Sequence, residues 1–234
     1  MVKHYRKEDK VSYTLGTTIT IELLKNHPEL VEMVYYHSQL KDVEPVAALC
    51  RAHGIDLVQS DKPFNILSQK ENCFVIGVFR KSVFTLDSTK NHVLLVNPSN
   101  AGNLGTILRS CAGFGVEDVA IITPAVDIYD PKTVRSSMGA LFNLRFHCYA
   151  TLEEYLAEVG ERAMYPFMLK AKKTLKEVEA KYPCTLIFGN EATGLPDRYL
   201  EVGEPVIIRH SNRIDSLNLP IATSIALFQF FSEK

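Results

Sequence analysis

Unbroken apolar runs, rather than strict alternation, mark the second half of the chain. His92–Asn97, Val119–Ile122 and Thr185–Phe188 read as strands covered on both faces, because a half-exposed strand would alternate apolar and polar positions. Pro166–Leu169 and Pro205–Ile208 read as two further strands. Between them the apolar positions fall at helical spacing. One helix runs through Leu104–Phe114, with Gly115 where a helix C-terminal glycine belongs. Asp130-Pro131 opens another, with Asp as N-cap and Pro in the first turn. Thr151 with Glu154 forms a capping box for a third, and an apolar helix around Leu217–Phe230 closes the chain. Strands separated by helices predict an α/β domain with a mostly parallel sheet.

The first 81 residues carry a thinner version of the same alternation. Ile19–Leu24 and Val43–His53 follow helical spacing, whereas Val31–Tyr36, Ile55–Gln59 and Phe74–Phe79 read as strands. Ser82–Asn91 mixes Ser, Thr, Asp and Lys and interrupts the hydrophobic rhythm. The expected organisation is therefore a small α/β domain over 1–81, a linker over 82–91 and a larger domain over 92–234.

Composition narrows the class only a little. The chain has 234 residues, 46% hydrophobic and 23% charged, as in ordinary soluble globular proteins. No apolar run approaches membrane-span length, and Met1 to Lys10 is charged rather than signal-like. Cys50, Cys73, Cys111, Cys148 and Cys184 form no C-x-x-C pair, which points to reduced thiols and a cytoplasmic location. The net charge of −1 supplies no nucleic-acid footprint. Lys3 to Lys7 is a candidate basic patch, but it reads more readily as a solvated, frayed terminus.

Three segments rich in Gly, Asn and Ser follow strands of the larger domain: Asn97 to Arg109, Phe188 to Leu195, and Ile208 to Asn218. Loops beyond the carboxyl ends of strands build the ligand crevice of open α/β sheets. Several familiar chemistries are excluded. There is no G-x-x-x-x-G-K-[ST], no G-x-G-x-x-G and no G-x-S-x-G. The seven histidines show no metal-ligand spacing among themselves or with the cysteines, so no metal is expected. Spacing alone stops at a three-loop binding site.

The three segments, in this order, resemble the motifs of the SpoU/TrmH-type methyltransferases of the SPOUT superfamily. Asn103-Leu-Gly105-Thr-Ile-Leu-Arg109 is similar to the first motif, and Gly189-Asn190-Glu191-Ala-Thr-Gly194-Leu195 to the second. Ile208-Arg209-His210 with Ser216-Leu217-Asn218 is similar to the third, although Arg209-His210 replaces the family's Pro-Met. Val134 to Gly139 resembles a recurrent segment between the first two motifs, and the front domain loosely resembles a ribosomal-protein-like substrate-binding domain. The resemblance covers about residues 91–234. It implies a C-terminal trefoil knot, binding of S-adenosylmethionine, a homodimer with the active site near the subunit interface, and 2′-O-methylation of ribose in ribosomal or transfer RNA. By position it implies cofactor contacts from Phe188, Gly189, Ile208 and Leu217, and catalytic roles for Arg109, Asn103, Glu191, Ser216 and Asn218.

The chemistry sets what those residues must do. A ribose hydroxyl is a poor nucleophile while protonated, so the protein must position it and favour its alkoxide. Arg109 is either the base or, because guanidinium stays protonated, a clamp on a neighbouring phosphate. Asn103 is expected to cap the helix that carries Arg109, and Glu191 to orient Arg109 or a substrate hydroxyl. Ser216 and Asn218 offer short hydrogen-bonding groups at the entry to the last helix. Two alternatives stay open: a knotted RNA-binding module without turnover, and a base-directed SPOUT methyltransferase. Tyr35-Tyr36, Phe228, Phe230 and Phe231 read as core or dimer surface, and the Lys170–Lys176 run as a solvated edge or a track for RNA backbone.

Overall fold

The computed structural model describes residues 2–67 and 72–232. In chain order its first elements are β1 (Val11–Leu15), α1 (Thr17–Asn26), β2 (Val31–Tyr36), α2 (Glu44–His53), β3 (Leu57–Gln59), α3 (Lys62–Leu67) and β4 (Val75–Arg80). There follow β5 (His92–Val96), α4 (Ala101–Gly113), β6 (Asp118–Ile122), α5 (Pro131–Ser136), β7 (Arg145–Tyr149), α6 (Leu152–Val159) and β8 (Ala163–Pro166). The last are β9 (Lys173–Thr174), β10 (Cys184–Phe188), β11 (Val206–Ile207) and α7 (Leu219–Phe231). Among the described residues no helix is long and apolar enough to cross a membrane.

Two compact units result. The front unit comprises Met1–Ser82 together with Asp127–Asn143. Its sheet runs β1-β4-β2-β3, antiparallel except where β2 meets β3. One core layer gathers Leu24, Val34, Val46, Cys50 and Val75, and the other Tyr13, Leu15, Phe64 and Ile76. The segment 127–143, which the sequence reading had kept with the larger domain, packs here. Ser12 Oγ donates to the Tyr129 carbonyl, Tyr5 OH donates to Asp127, and α5 lies on β1. Asp130 caps α5 as expected, accepting from Lys132 N at 2.8 Å. At Gly139 (φ +89°) a side chain would press within 2.7 Å of Glu22 Cβ, so this crossing requires glycine.

The rear unit, Val83–Val126 and Leu144–Lys234, contains a five-stranded sheet in the order β7-β6-β5-β10-β8. Every pairing in it is parallel, which explains why its central strands are apolar throughout. Thr151 caps α6 as the capping box requires, while Glu154 reaches back to Ala150 N at 2.8 Å. Two strands fall outside the expected pattern. The strand expected at Pro166–Leu169 lies at β8, because after Pro166 the chain bends and Met168 N bonds the Val206 carbonyl instead. β11 pairs with β9 in a separate two-stranded ribbon, not with the main sheet. The polar stretch after Ser82 is not loose, for Leu86 is buried and Asp87 N donates to the buried Asp118 carboxylate at 2.9 Å.

Under the central strands runs a buried polar chain. Thr185 Oγ1 donates to Tyr155 OH (2.7 Å), which donates to His92 Nδ1 (2.8 Å), leaving Nε2–H to donate to the Asp87 carbonyl (2.8 Å). In this direction the ring is neutral, with Arg162 Nη1 also 3.2 Å from Nδ1. Burial, followed by the nearby Arg162 charge, lowers the His92 pKa from 6.5 to about 4. A histidine held below its unfolded value supports folding above about pH 6.5 and loses that contribution as pH falls towards about 4. Thermal melts should therefore weaken across that window, and His92→Gln should flatten this dependence while lowering stability at pH 7.

Candidate active site

β5 and β10 are neighbours in the parallel sheet, so their carboxyl ends open on the same edge. β5 leads into Asn97, held at φ +53°, whose amide donates to the Pro124 carbonyl at 3.1 Å. β10 leads into Gly189 and Asn190. Asn190 Nδ2 donates to the Asn97 carbonyl at 2.8 Å, and its Oδ1 accepts from Ala192 N at 2.9 Å and Thr193 N at 3.2 Å. The chain then doubles back so tightly that Gly194 N donates to the Asn190 carbonyl at 2.9 Å. A Cβ at Gly189 would stand 2.2 Å from the Gly194 carbonyl carbon, so no other residue fits this approach.

Glu191 joins the two loops. Its carboxylate accepts from Ser99 N (3.0 Å), Ser99 Oγ (2.8 Å), Asn100 N (3.1 Å) and Asn103 Nδ2 (3.2 Å). Burial pushes its pKa up, but the Ser99 backbone and hydroxyl bonds, with Asn103, outweigh it and hold the carboxyl below the usual value. Glu191 is thus a fixed anion that ties loop to loop. The helix cap falls on a different residue from the one expected. Asn100 caps α4, accepting from Gly102 N (2.9 Å) and Asn103 N (3.1 Å). Asn103 sits in the first turn, where its side chain is free to reach Glu191.

A cavity of about 320 Å³ lies against these loops. Phe188, Gly189, Glu191, Ile208, Ser216 and Leu217, all expected in the site, line it. Phe188 is buried and stacked on Phe167, 4.6 Å between ring centres, which fixes the floor. Asn218 follows directly at the N-cap of α7, yet its side chain makes no capping bond, so capping does not account for this asparagine. Arg109 is the departure. It is exposed on α4, does not line the cavity, and forms no ion pair among the described residues. Its neighbour Ser110 bonds Ser224 of α7 at 2.8 Å. Sequence reasoning missed Phe167, Leu219 and Ala222 in the wall, and Ser99 and Asn100 in the clamp. Only Asn100 carried a signal, as an Asx residue immediately before a helix.

A family model described as the SpoU rRNA Methylase family matches residues 90–228. The chain belongs to the SpoU rRNA methylase family. Its α/β fold with a mostly parallel sheet matches solved SpoU methyltransferases. The crystal structure of an AdoMet-bound rRNA methyltransferase from Sinorhizobium meliloti superposes with a TM-score of 0.80 and 26% identity, covering 96% of this chain and 88% of that one. The 23S rRNA (uridine(2479)-2′-O)-methyltransferase of Streptomyces viridochromogenes is 30% identical over 150 residues, 61% of this chain and 52% of that protein. Mitochondrial rRNA methyltransferase 3 of Mus musculus is 48% identical over 215 residues, covering 66% of this chain and 51% of the relative. The chain spans about half the length of these two curated relatives.

Two substitutions test this member's loop architecture. Gly189→Ala should destabilise the rear unit by about 3 kcal/mol or more, because backbone rather than a flexible side chain must yield. Glu191→Gln turns an amide NH₂ towards groups that are themselves donors, and should cost about 1–3 kcal/mol. Both are read as lowered melting temperatures.

Proposed function

We propose that the protein transfers a methyl group from S-adenosylmethionine to a ribose 2′-hydroxyl of ribosomal or transfer RNA. The observation that carries this reading is that the second and third motif segments line one cavity, with the first tied to it through Glu191 and an uncapped Asn218 at its edge. The cavity volume and its mix of apolar wall and polar rim suit a nucleoside with an amino-acid tail. When bound, S-adenosylmethionine supplies an electrophilic methyl on its sulfonium. Phe188, Ile208 and Leu217 would flank it, and the backbone around Gly189 would meet its polar edges. Ser216 and Asn218 would orient the acceptor sugar. Arg109 acts as a cation that clamps a phosphate and favours the developing alkoxide, since a guanidinium does not give up its proton.

Arg109 lies outside its own chain's cavity, which supports a site shared between two copies of a homodimer. Ile221, Ile225 and Phe228 of α7 are 52%, 38% and 59% exposed, an apolar stripe of the kind that subunits bury. A trefoil knot through the C-terminal segment belongs to the same reading. The position of Arg109 also favours, by itself, the alternative of an RNA-binding module without turnover.

Transfer of labelled methyl to deproteinised ribosomal or transfer RNA separates these readings. The label should appear as a 2′-O-methyl nucleoside, and Arg109→Ala should lower turnover roughly 100-fold or more while calorimetric cofactor binding persists. Label on a base would overturn the ribose assignment. Cofactor binding without any transfer would leave the module. Phe228→Glu should give a monomer in sedimentation and lose turnover with it.

A further inference from the structure

The lysine-rich stretch after β8 is drawn by the β9–β11 ribbon to the mouth of the cavity. Lys173 pairs with Val206 and Thr174 with Ile207 in parallel, so Lys172 precedes the paired segment and Lys176 follows it, alongside the strand that leads into Ile208 and Arg209. Several charges here are already matched. Lys170 pairs with Asp197 at 2.7 Å, and Lys173 with Glu204 at 2.8 Å. Glu177 turns inward on its own turn, bonding Thr174 N and Oγ1, both at 2.7 Å. Those Thr174 bonds, with Arg209 and Lys173 nearby, hold the Glu177 carboxyl below its usual value. Lys172, Lys176, Arg209 and Arg213 remain, all exposed and none in an ion pair among the described residues. An unpaired cationic ribbon beside a cavity at whose edge Ser216 and Asn218 would orient an acceptor sugar is placed for phosphates.

We propose that Lys172 and Lys176, with Arg209 and Arg213 of the adjoining loop, form a docking ribbon for the phosphate backbone of single-stranded RNA entering the cavity. This rests on the RNA reading above. It goes beyond it by naming which surface holds the strand next to the acceptor sugar. Phosphate contacts of this kind position the RNA without reading its sequence.

The test is fluorescence anisotropy of labelled fragments of ribosomal RNA and of labelled transfer RNA, titrated from about 50 to 300 mM salt. Each single-strand phosphate contact adds about 0.7 to the slope of log affinity against log salt. The double variant Lys172→Gln/Lys176→Gln should lower that slope by about 1.4 and weaken low-salt binding roughly tenfold. Adding Arg213→Gln should lower the slope again, and Lys172→Arg/Lys176→Arg should restore it. Calorimetric binding of S-adenosylmethionine should stay unchanged in the lysine variants, which shows that the cavity is intact. An unchanged slope in the Gln variants, with RNA binding and methyl transfer intact, overturns the ribbon and leaves the function standing. No RNA binding by the unaltered protein at any salt overturns both.

Discussion

The carboxylate of Glu191 is where the architecture of the rear unit turns into a site. Two strands that are neighbours in a parallel sheet present their ends together, but nothing in the sheet itself fixes the loops that follow. Glu191 supplies that constraint by accepting from two backbone amides, a hydroxyl and a side-chain amide of the other loop. A partly buried charge is tolerable only when so fully matched, and the matching in turn keeps it ionised. Asn190, the residue before it, adds a bond in the opposite direction to the Asn97 carbonyl. Two consecutive side chains therefore lock the loops from both sides, and the cavity wall inherits their rigidity.

This constraint divides the labour among the motif residues. Glycine at 189 lets backbone meet backbone, so the wall at that point is made of peptide groups rather than side chains. Phe188 contributes the apolar floor through its stack on Phe167. Glu191 and Asn103 are bonded to each other, whereas Asn218 makes no capping bond at the entry to α7 and Arg109 stands exposed on α4.

Much of this was legible in the sequence where the cause is local. The central strands β5, β6 and β10 are apolar because both faces are covered, and the Asp130 and Thr151 caps announce themselves by residue type and spacing. β7 was not legible. Its Arg145 serves the buried Asp118, and its exposure alternates unevenly, so no clean period marks it. The placement of 127–143 in the front unit was equally hidden, because it depends on partners more than a hundred residues away, Tyr5 and Ser12. Asn100 and Asn103 have the same side chain and stand three residues apart. Asn100 is the one that caps α4, and spacing carries no such information. Motif resemblance likewise picked out Arg109 but not the side of α4 on which it stands.

Overall charge does not describe the local charge that a ligand would meet. A total of −1 averages over acids and bases that neutralise one another inside the fold, among them Asp118 with Arg145 and Glu204 with Lys173. A polyanion responds instead to charges left unmatched within a Debye length of its path, roughly 10 Å at ordinary salt. The pairing of β9 with β11 creates such a set from two segments distant in sequence, one a lysine run and the other the third motif. On this view Arg209, which stands where the resembled motif has proline, belongs with the lysines across the ribbon. Backbone pairing at Val206 and Ile207 is what brings Arg209 and the lysine run together.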